Sequence, residues 1–374
     1  MSIAPTHPPL KRLTSLDALR GVAALSVVLW HWKHFFAIDG PWTSWSNEAQ
    51  PFFAVLKPFY LKGWAAVDLF FVLSGFVFFW LYRDSIRTRK AGAARFALLR
   101  FSRLYPLHLV TLLAAAFLQF VYRNNHAQTF VYQGNDGPHF VAHLFFVQDW
   151  WPDAPQCFNG PTWSVSIEVL LYVLFFVACR AGLRRGWQCL LIALFGIVVR
   201  MFDEHMARGI LSFFMGGFAF SLWDSLRNHP RAATIARGLG VAAIGGWAAL
   251  WTTIYRGDTW LNSSEGNNLF LLLFDGVLAP LTVLVLALRE HVHRRSSAWM
   301  GHLGDISYST YLLHFPMQLA LALVAGRFAL RPEFFMQRWV MIVFYLVLIG
   351  LGTASYHLFE KRIQHWIRGR SSRT

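Results

Sequence analysis

Apolar stretches long enough to cross a lipid bilayer recur throughout this chain of 374 residues. A helix needs about 20 residues to span the hydrocarbon core. The stretches lack the alternation of a membrane β-barrel strand, so they predict helices whose backbone groups bond within each segment. Charged residues make up only 14% of the chain, against about 25% in soluble domains. We therefore predict an all-α polytopic membrane protein with about ten transmembrane helices, at residues 16–36, 63–82, 104–122, 162–179, 187–201, 209–223, 238–255, 269–288, 306–325 and 339–359.

The distribution of positive charge predicts the orientation of these helices. Lysines and arginines are enriched in the cytoplasmic loops of membrane proteins, and 23 of the 34 in this chain fall on the face that carries both termini. Both termini are therefore expected in the cytoplasm. The formal net charge of +15 follows from this bias and suits contact with anionic membrane lipids. We expect membrane lipids as partners and no nucleic acid.

We expect one transmembrane domain over residues 1–374, with no internal repeat and no appended extracytoplasmic esterase-like domain. The first apolar segment ends in Trp-His-Trp-Lys-His rather than in small residues, so it predicts an uncleaved span and not a signal peptide. Cys157, Cys179 and Cys189 lack the spacing of metal ligands, so no metal site is predicted. The sequence carries no indication of the oligomeric state.

Ionisable residues inside predicted spans are costly and therefore candidates for function. Arg20 and His31 lie near opposite ends of the first span, on one helix face and about 16 Å apart at the rise of an α-helix. Asp68 and Glu168 lie at the depth of His31 on two other spans. A carboxylate fixes the tautomer of a histidine and stabilises its cation, so these residues predict a general-base site. From depth alone, packing ion pairs or interfacial residues explain these positions equally well.

Three arginines precede the third span, where Arg95, Arg100 and Arg103 alternate with apolar residues. Their charge alone fits the positive-inside bias on an interfacial helix. Paired guanidinium groups also suit phosphate oxygens. A ligand whose phosphates are held here and by Arg20, with a slender reactive arm reaching His31, would join the two ends of the first span.

Five motifs together resemble the membrane acyltransferase-3 family of bacterial acyl-CoA-dependent O-acyltransferases. They are SLDALRGVAALSVVLWHW, DLFFVLSGFV, RFSRLYPLH, PTWSVSIEVLLY and GDISYSTYLLHFP, in the order and on the spans where the family has them. The C-terminal YHLFEKR also fits. The matching residues are Arg20, His31, Ser74, Gly75, Arg100, Arg103, Pro106, Trp163, Ser164, Glu168, Tyr172, Tyr308, Tyr311, His314, Pro316 and Glu360.

The resemblance implies an integral membrane acyltransferase of the bacterial inner membrane. Its co-substrate would be acyl-CoA, with acetyl-CoA favoured, held by Arg20, Ser74, Arg100 and Arg103. His31 would act as the general base or be acylated itself. Glu168, or with less support Asp68, would orient His31.

The acceptor implied is a hydroxyl of a cell-envelope or exported saccharide at the outer face. The residues expected to contact substrate are Trp163, Tyr172, Tyr311 and His314. Aromatic rings stack on sugars, but an interfacial belt of aromatic residues has the same composition. Tyr311 and His314, one helical turn apart, suit either the wall of an acyl channel or buried structural hydrogen bonds.

A secondary transporter or a lipid or glycan flippase is the alternative of another class, because such proteins also have about ten helices and inward-facing charges. It predicts inverted repeats and paired half-helices, and the sequence has neither. A membrane scaffold with basic loops would have no use for His31, Asp68 and Glu168 at matched depth. The acyltransferase is the function that the sequence favours.

Overall fold

The computed structural model describes residues 12–38, 46–257, 259–294 and 297–371. All regular structure within these ranges is helical and contains no β-strand, which confirms the predicted all-α class. The α-helices, in chain order, are α1 (Thr14–Trp30), α2 (Phe53–Lys62), α3 (Ala66–Arg87), α4 (Ala93–Asn125), α5 (Gly137–Leu144), α6 (Trp163–Arg180), α7 (Gly186–Val199), α8 (Glu204–Leu226), α9 (Ala232–Arg256), α10 (Ser264–Leu273), α11 (Ala279–His293), α12 (Ala298–Arg327), α13 (Pro332–Phe335), α14 (Arg338–Ala354) and α15 (Lys361–Ser371).

Eight helical stretches in the described ranges are long and apolar enough to cross a membrane. Each coincides with one predicted span. The other two predicted spans correspond to shorter helices, which are α1, continued by the 3₁₀ segment His31–Ala37, and α7 with 14 residues. At 1.5 Å per residue, α7 covers about 21 Å, less than the roughly 30 Å of a bilayer core. The multi-pass membrane fold is therefore established, whereas a count of ten spans stays a prediction.

Helices α1 and α12 pack closely because small residues line their contact. A Cβ atom on Gly304 of α12 would overlap the backbone and side chain of Asp17 on α1. Small residues are the usual means by which membrane helices approach so closely. Further along the same two helices, this approach brings His31 within hydrogen-bonding distance of His314.

Helices α3 and α8 also cross with their backbones in contact. A Cβ atom on Gly75 would overlap the carbonyl oxygen of Phe213, and one on Gly216 would overlap that of Val72. The glycine of the Ser-Gly-Phe motif thus serves packing against α8. The preceding Ser74 lies on another face of α3 and lines a cavity.

Replacing Gly75 with alanine is expected to destabilise the fold by about 1–3 kcal/mol or more, because the new methyl group overlaps backbone that cannot rotate away. The matched control is Gly245→Ala in α9, where a Cβ atom meets nothing within 4 Å. That change should leave stability unchanged or raise it slightly, since alanine favours helix over glycine. The measurement is the melting temperature of the two variants in detergent. Equal melting temperatures would contradict the close crossing of α3 and α8.

Candidate active site

Two cavities lie along one side of α1 and share part of their walls. The His31 cavity has a volume of about 330 Å³. The Arg20 cavity, of about 60 Å³, is also lined by Ser74. Val67 and Tyr311 line both cavities. Arg20 and His31, eleven residues apart in sequence, therefore face two adjoining spaces.

The protonation pattern of His31 follows from a chain of hydrogen bonds. Nδ1 of His314 lies 2.5 Å from the carbonyl oxygen of Tyr311, and a carbonyl only accepts, so this nitrogen carries a proton. In the neutral ring, Nε2 of His314 is then an acceptor, and it lies 3.1 Å from Nδ1 of His31. His31 consequently donates from Nδ1. Its Nε2 retains a lone pair, as a general base requires.

Gln318 and His34 hold the other side of His31. The side-chain amide of Gln318 donates to the backbone carbonyl of His31 at 3.0 Å, so its oxygen accepts from Nδ1 of His34, also at 3.0 Å. The hydroxyl of Tyr132 lies 3.4 Å from Nε2 of His34. The rings of His31 and His34 have centroids 4.8 Å apart. These contacts restrict the ring of His31 to one position.

Pro316 frees one backbone carbonyl of α12, which a side chain outside that helix then bonds. A proline has no N–H, so it leaves the carbonyl four residues earlier, that of Leu312, without its helical donor. The side chain of Asn159 donates to that carbonyl at 3.0 Å. The 3₁₀ segment Gly160–Thr162, which follows Asn159, is thereby tied to α12 beside His314.

The structure does not bring either predicted carboxylate to His31. Glu168 instead accepts from the hydroxyl of Ser74 at 3.0 Å and from that of Tyr172 at 2.5 Å. Asp68 is fully buried in a bidentate ion pair with Arg208, at 3.0 and 2.8 Å. Each carboxylate lies on the predicted helix, but that helix turns it toward a different neighbour. The partner that orients His31 is a second histidine.

Arg208 links the buried ion pair to the wall of the His31 cavity. Its guanidinium lies over the ring of Trp64 at 4.7 Å and that of Trp163 at 5.5 Å. The ring of Trp163 also stacks on His205 at 4.0 Å. Trp163 therefore lines the cavity with one ring face covered by His205, and its contact with substrate stays a prediction.

The Arg20 cavity carries both signs of charge. Glu168 lies on its wall within electrostatic range of Arg20. Tyr172, predicted to contact the acceptor, lies on this side of the bundle and not in the His31 cavity, because its hydroxyl bonds to Glu168. Its ring stacks on Phe78 at 4.4 Å. Tyr172 therefore lies with Glu168 and not beside His31.

A cluster of arginines lies at the same end of the bundle as Arg20. Arg103 is within electrostatic range of both Arg20 and Arg368. Arg100 donates to the hydroxyl of Tyr82 at 2.6 Å. Arg368, on the last helix, donates to Ser102 at 3.1 Å. Arg368 was predicted to belong to no site, since a basic C-terminal segment resembles any other cytoplasmic tail.

Tyr311 forms the wall between the two cavities. Its hydroxyl donates to the carbonyl of Pro161 at 2.5 Å and accepts from Ser164 at 2.7 Å. Tyr311 thus lines both cavities and also makes buried hydrogen bonds, and its contact with substrate stays a prediction. His314, expected beside it as a channel residue, has the different position of partner to His31.

A Cys–His pair outside the spans is not a competing nucleophile. The thiol of Cys157 lies 3.2 Å from Nε2 of His143. Burial raises the pKa of Cys157 to about 12 and lowers the pKa of His143 to about 3. Both groups are therefore neutral at physiological pH, and the thiolate needed for attack is absent. The described part of the chain also contains no group of three or more metal-ligating side chains.

Comparison with known proteins gives one family for most of the chain. The acyltransferase-3 family model, described as an acyltransferase domain, matches residues 13–357. No solved structure matches the chain.

Curated relatives include three proteins whose names bear on function. The chain is 36% identical over 190 residues to the acyltransferase MdmB of Streptomyces mycarofaciens, covering 49% of this chain and 44% of that protein. It is 29% identical to the exopolysaccharide production protein ExoZ of Rhizobium meliloti, over 67% of this chain and 75% of that protein. It is 25% identical to the putative membrane-bound transacylase BcsY of Komagataeibacter xylinus, over 82% and 73%. The chain thus spans less than half the length of MdmB.

Proposed function

The chain belongs to the acyltransferase-3 family, and we propose that it transfers an acyl group, with acetyl favoured, from cytoplasmic acyl-CoA to a hydroxyl of a cell-envelope or exported saccharide at the outer face of a bacterial inner membrane. The observation that carries this proposal is the position of His31, which keeps a lone pair on Nε2 and lines a cavity adjoining the one that contains Arg20. A general base in one cavity and arginines near the other cavity suit an acyl donor that extends between them.

The donor side supports a phosphate-bearing ligand. Arg20, Arg100, Arg103 and Arg368 gather where the donor would enter. Hydrogen bonds from guanidinium groups to phosphate oxygens are charge-assisted, and they are among the strongest that proteins form. The Arg20 cavity is narrow, about 60 Å³, which suits an unbranched arm better than a ring. Ser74 and Glu168 would line the path of that arm.

The name of one relative supports a saccharide acceptor, since ExoZ is named for exopolysaccharide production. The name of BcsY, a membrane-bound transacylase, supports acyl transfer at a membrane. The His31 cavity, with about 330 Å³, is several times larger than the Arg20 cavity. It therefore has room for a sugar ring beside the thioester.

The chemistry assigned to His31 is proton transfer. As the acceptor oxygen attacks the thioester carbonyl, Nε2 of His31 takes the hydroxyl proton, and the new C–O bond replaces the C–S bond when the thiolate leaves. The same proton then passes to the sulfur, so one hydroxyl and one thioester become one ester and one thiol. In the covalent variant, Nε2 attacks the thioester itself and later gives the acyl group to the hydroxyl.

The experiment that tests the proposal uses purified protein in lipid nanodiscs with radiolabelled acetyl-CoA and cell-envelope glycans. Label recovered in an alkali-labile ester of the glycan supports the function. Label retained on the protein at a histidine in the absence of glycan would favour the covalent route. Glycan that stays unlabelled under every condition would contradict the proposal.

Replacing Arg103 or Arg368 with alanine is expected to weaken acyl-CoA binding about 10- to 100-fold each, because each charge-assisted contact contributes roughly 1.5–3 kcal/mol. Arg100→Ala should act in the same direction. Arg237→Ala on α9 is the control, since that arginine is exposed and apart from the cluster. The measurement is equilibrium binding of a non-hydrolysable acyl-CoA analogue. If every variant bound the analogue as tightly as the parent, these arginines would serve only the positive-inside charge bias.

A further inference from the structure

The charged residues that line the His31 cavity indicate the kind of acceptor that it would bind. Its wall includes two basic side chains, Lys33 and Arg208, and none of the described residues that line it is an aspartate or glutamate. The cavity beyond Tyr311 differs, because Glu168 lies on its wall opposite the charge of Arg20. Among the described residues, the His31 cavity therefore presents only basic charge, whereas the Arg20 cavity presents both signs.

Arg208 is already neutralised. Its Nε and Nη2 both donate to the carboxylate of Asp68, at 3.0 and 2.8 Å. The neighbouring His205 likewise bonds to Asp149, at 2.9 Å. These two groups need no anion from a ligand.

Lys33 has no such partner in the described ranges. It forms no ion pair there, and its ammonium lies over the ring of Trp30 at 3.5 Å from the centroid. The side chain is half-buried and two residues from His31. A half-buried cation without a counter-ion carries a desolvation cost that an anionic ligand group would offset.

From this arrangement we infer that the acceptor is an acidic saccharide, whose carboxylate or phosphate pairs with Lys33 while its reacting hydroxyl lies at Nε2 of His31. This inference rests on the proposed function and narrows its substrate class. Lys33 acts as a specificity-determining residue. Trp30 holds the ammonium in place, so the anion is bound at a fixed distance from the base.

The test compares three acceptors that differ in one substituent: an oligosaccharide with a single uronic acid, the same oligosaccharide after carboxyl reduction, and its counterpart with a phosphate monoester. The parent should acylate an acidic form with kcat/KM at least about tenfold above the neutral form. Lys33→Met, which keeps the length of the side chain but removes its charge, should reduce this ratio to about one. Lys33→Arg should keep it above one. Comparison of the uronic acid form with the phosphate form shows which anion is preferred.

A binding measurement separates this inference from the proposed function. The acidic and neutral oligosaccharides are titrated into the protein without donor, and the acidic form should bind at least about tenfold more tightly to the parent but not to Lys33→Met. Affinity for acyl-CoA, measured in both proteins, shows that the variant is folded. Equal binding of both saccharides by the parent, or a preference that Lys33→Met retains, would overturn the inference. Absence of acyl transfer despite selective binding would contradict only the proposed function.

Discussion

Replacing His31 with alanine is expected to lower the rate of acyl transfer by about 10²- to 10⁴-fold, the range contributed by a positioned general base. The substitution removes the imidazole whose Nε2 retains a lone pair because its Nδ1 donates to His314. The acyl-CoA affinity should change little, because the arginine cluster lies at the opposite end of α1. The measurement is single-turnover transfer of labelled acetyl groups to the glycan.

Stability and surface controls separate chemistry from folding in this experiment. His31→Ala leaves Nε2 of His314 without its donor, a cost of about 1–2 kcal/mol that a detergent melting curve detects. His229→Ala changes an exposed histidine far from both cavities and should keep the parental rate. A folded His31→Ala protein that transfers acyl groups at the parental rate would remove His31 from the mechanism.

The sequence predicted which helix carries each candidate residue, but not which neighbours that residue faces. Arg20 on α1 and His31, directly after its end, line two adjoining cavities. Glu168 and Asp68 were expected beside His31, yet α6 directs one toward Ser74 and α3 directs the other toward Arg208. How a helix is rotated against its neighbours depends on close contacts such as the crossing of α3 with α8. Hydropathy along a single chain does not contain that information.

Basic residues at or beyond the ends of the predicted spans were missed for a related reason. Lys33 and Arg368 were counted as topological charge, since a basic residue near a span end has that role by default. Their significance depends on which cavity they face, and α15 reaches the arginine cluster only because the last helix folds back against α4. Asn159 likewise gains its role from Pro316 on a distant helix. Long-range pairings of this kind leave no local pattern.

The chain of hydrogen bonds from His31 through His314 to the carbonyl of Tyr311 predicts different losses of activity for two substitutions of His314. His314→Leu removes the acceptor that keeps the proton on Nδ1 of His31, so the competing tautomer with a protonated Nε2 becomes populated and cannot act as a base. We expect kcat to fall by about 10²-fold or more. His314→Gln offers a carbonyl oxygen to His31 and an amide N–H to the carbonyl of Tyr311, so it should retain a substantial part of the activity.

His314 could also act only by packing, and the tautomer of His31 distinguishes that structural role from the hydrogen-bonding role. Nitrogen-15 NMR of histidine-labelled protein should show Nδ1 of His31 protonated in the parent and in His314→Gln, and a mixture of tautomers in His314→Leu. Donor affinity should be equal in all three proteins, since His314 contacts His31 and Tyr311 and lies apart from the arginine cluster. If His314→Leu lost activity while His31 kept the parental tautomer, the histidine would be a packing residue. Because no carboxylate contacts His31 in the described ranges, its tautomer would then depend on the backbone carbonyl of Val27 and on the neighbouring ring of His34.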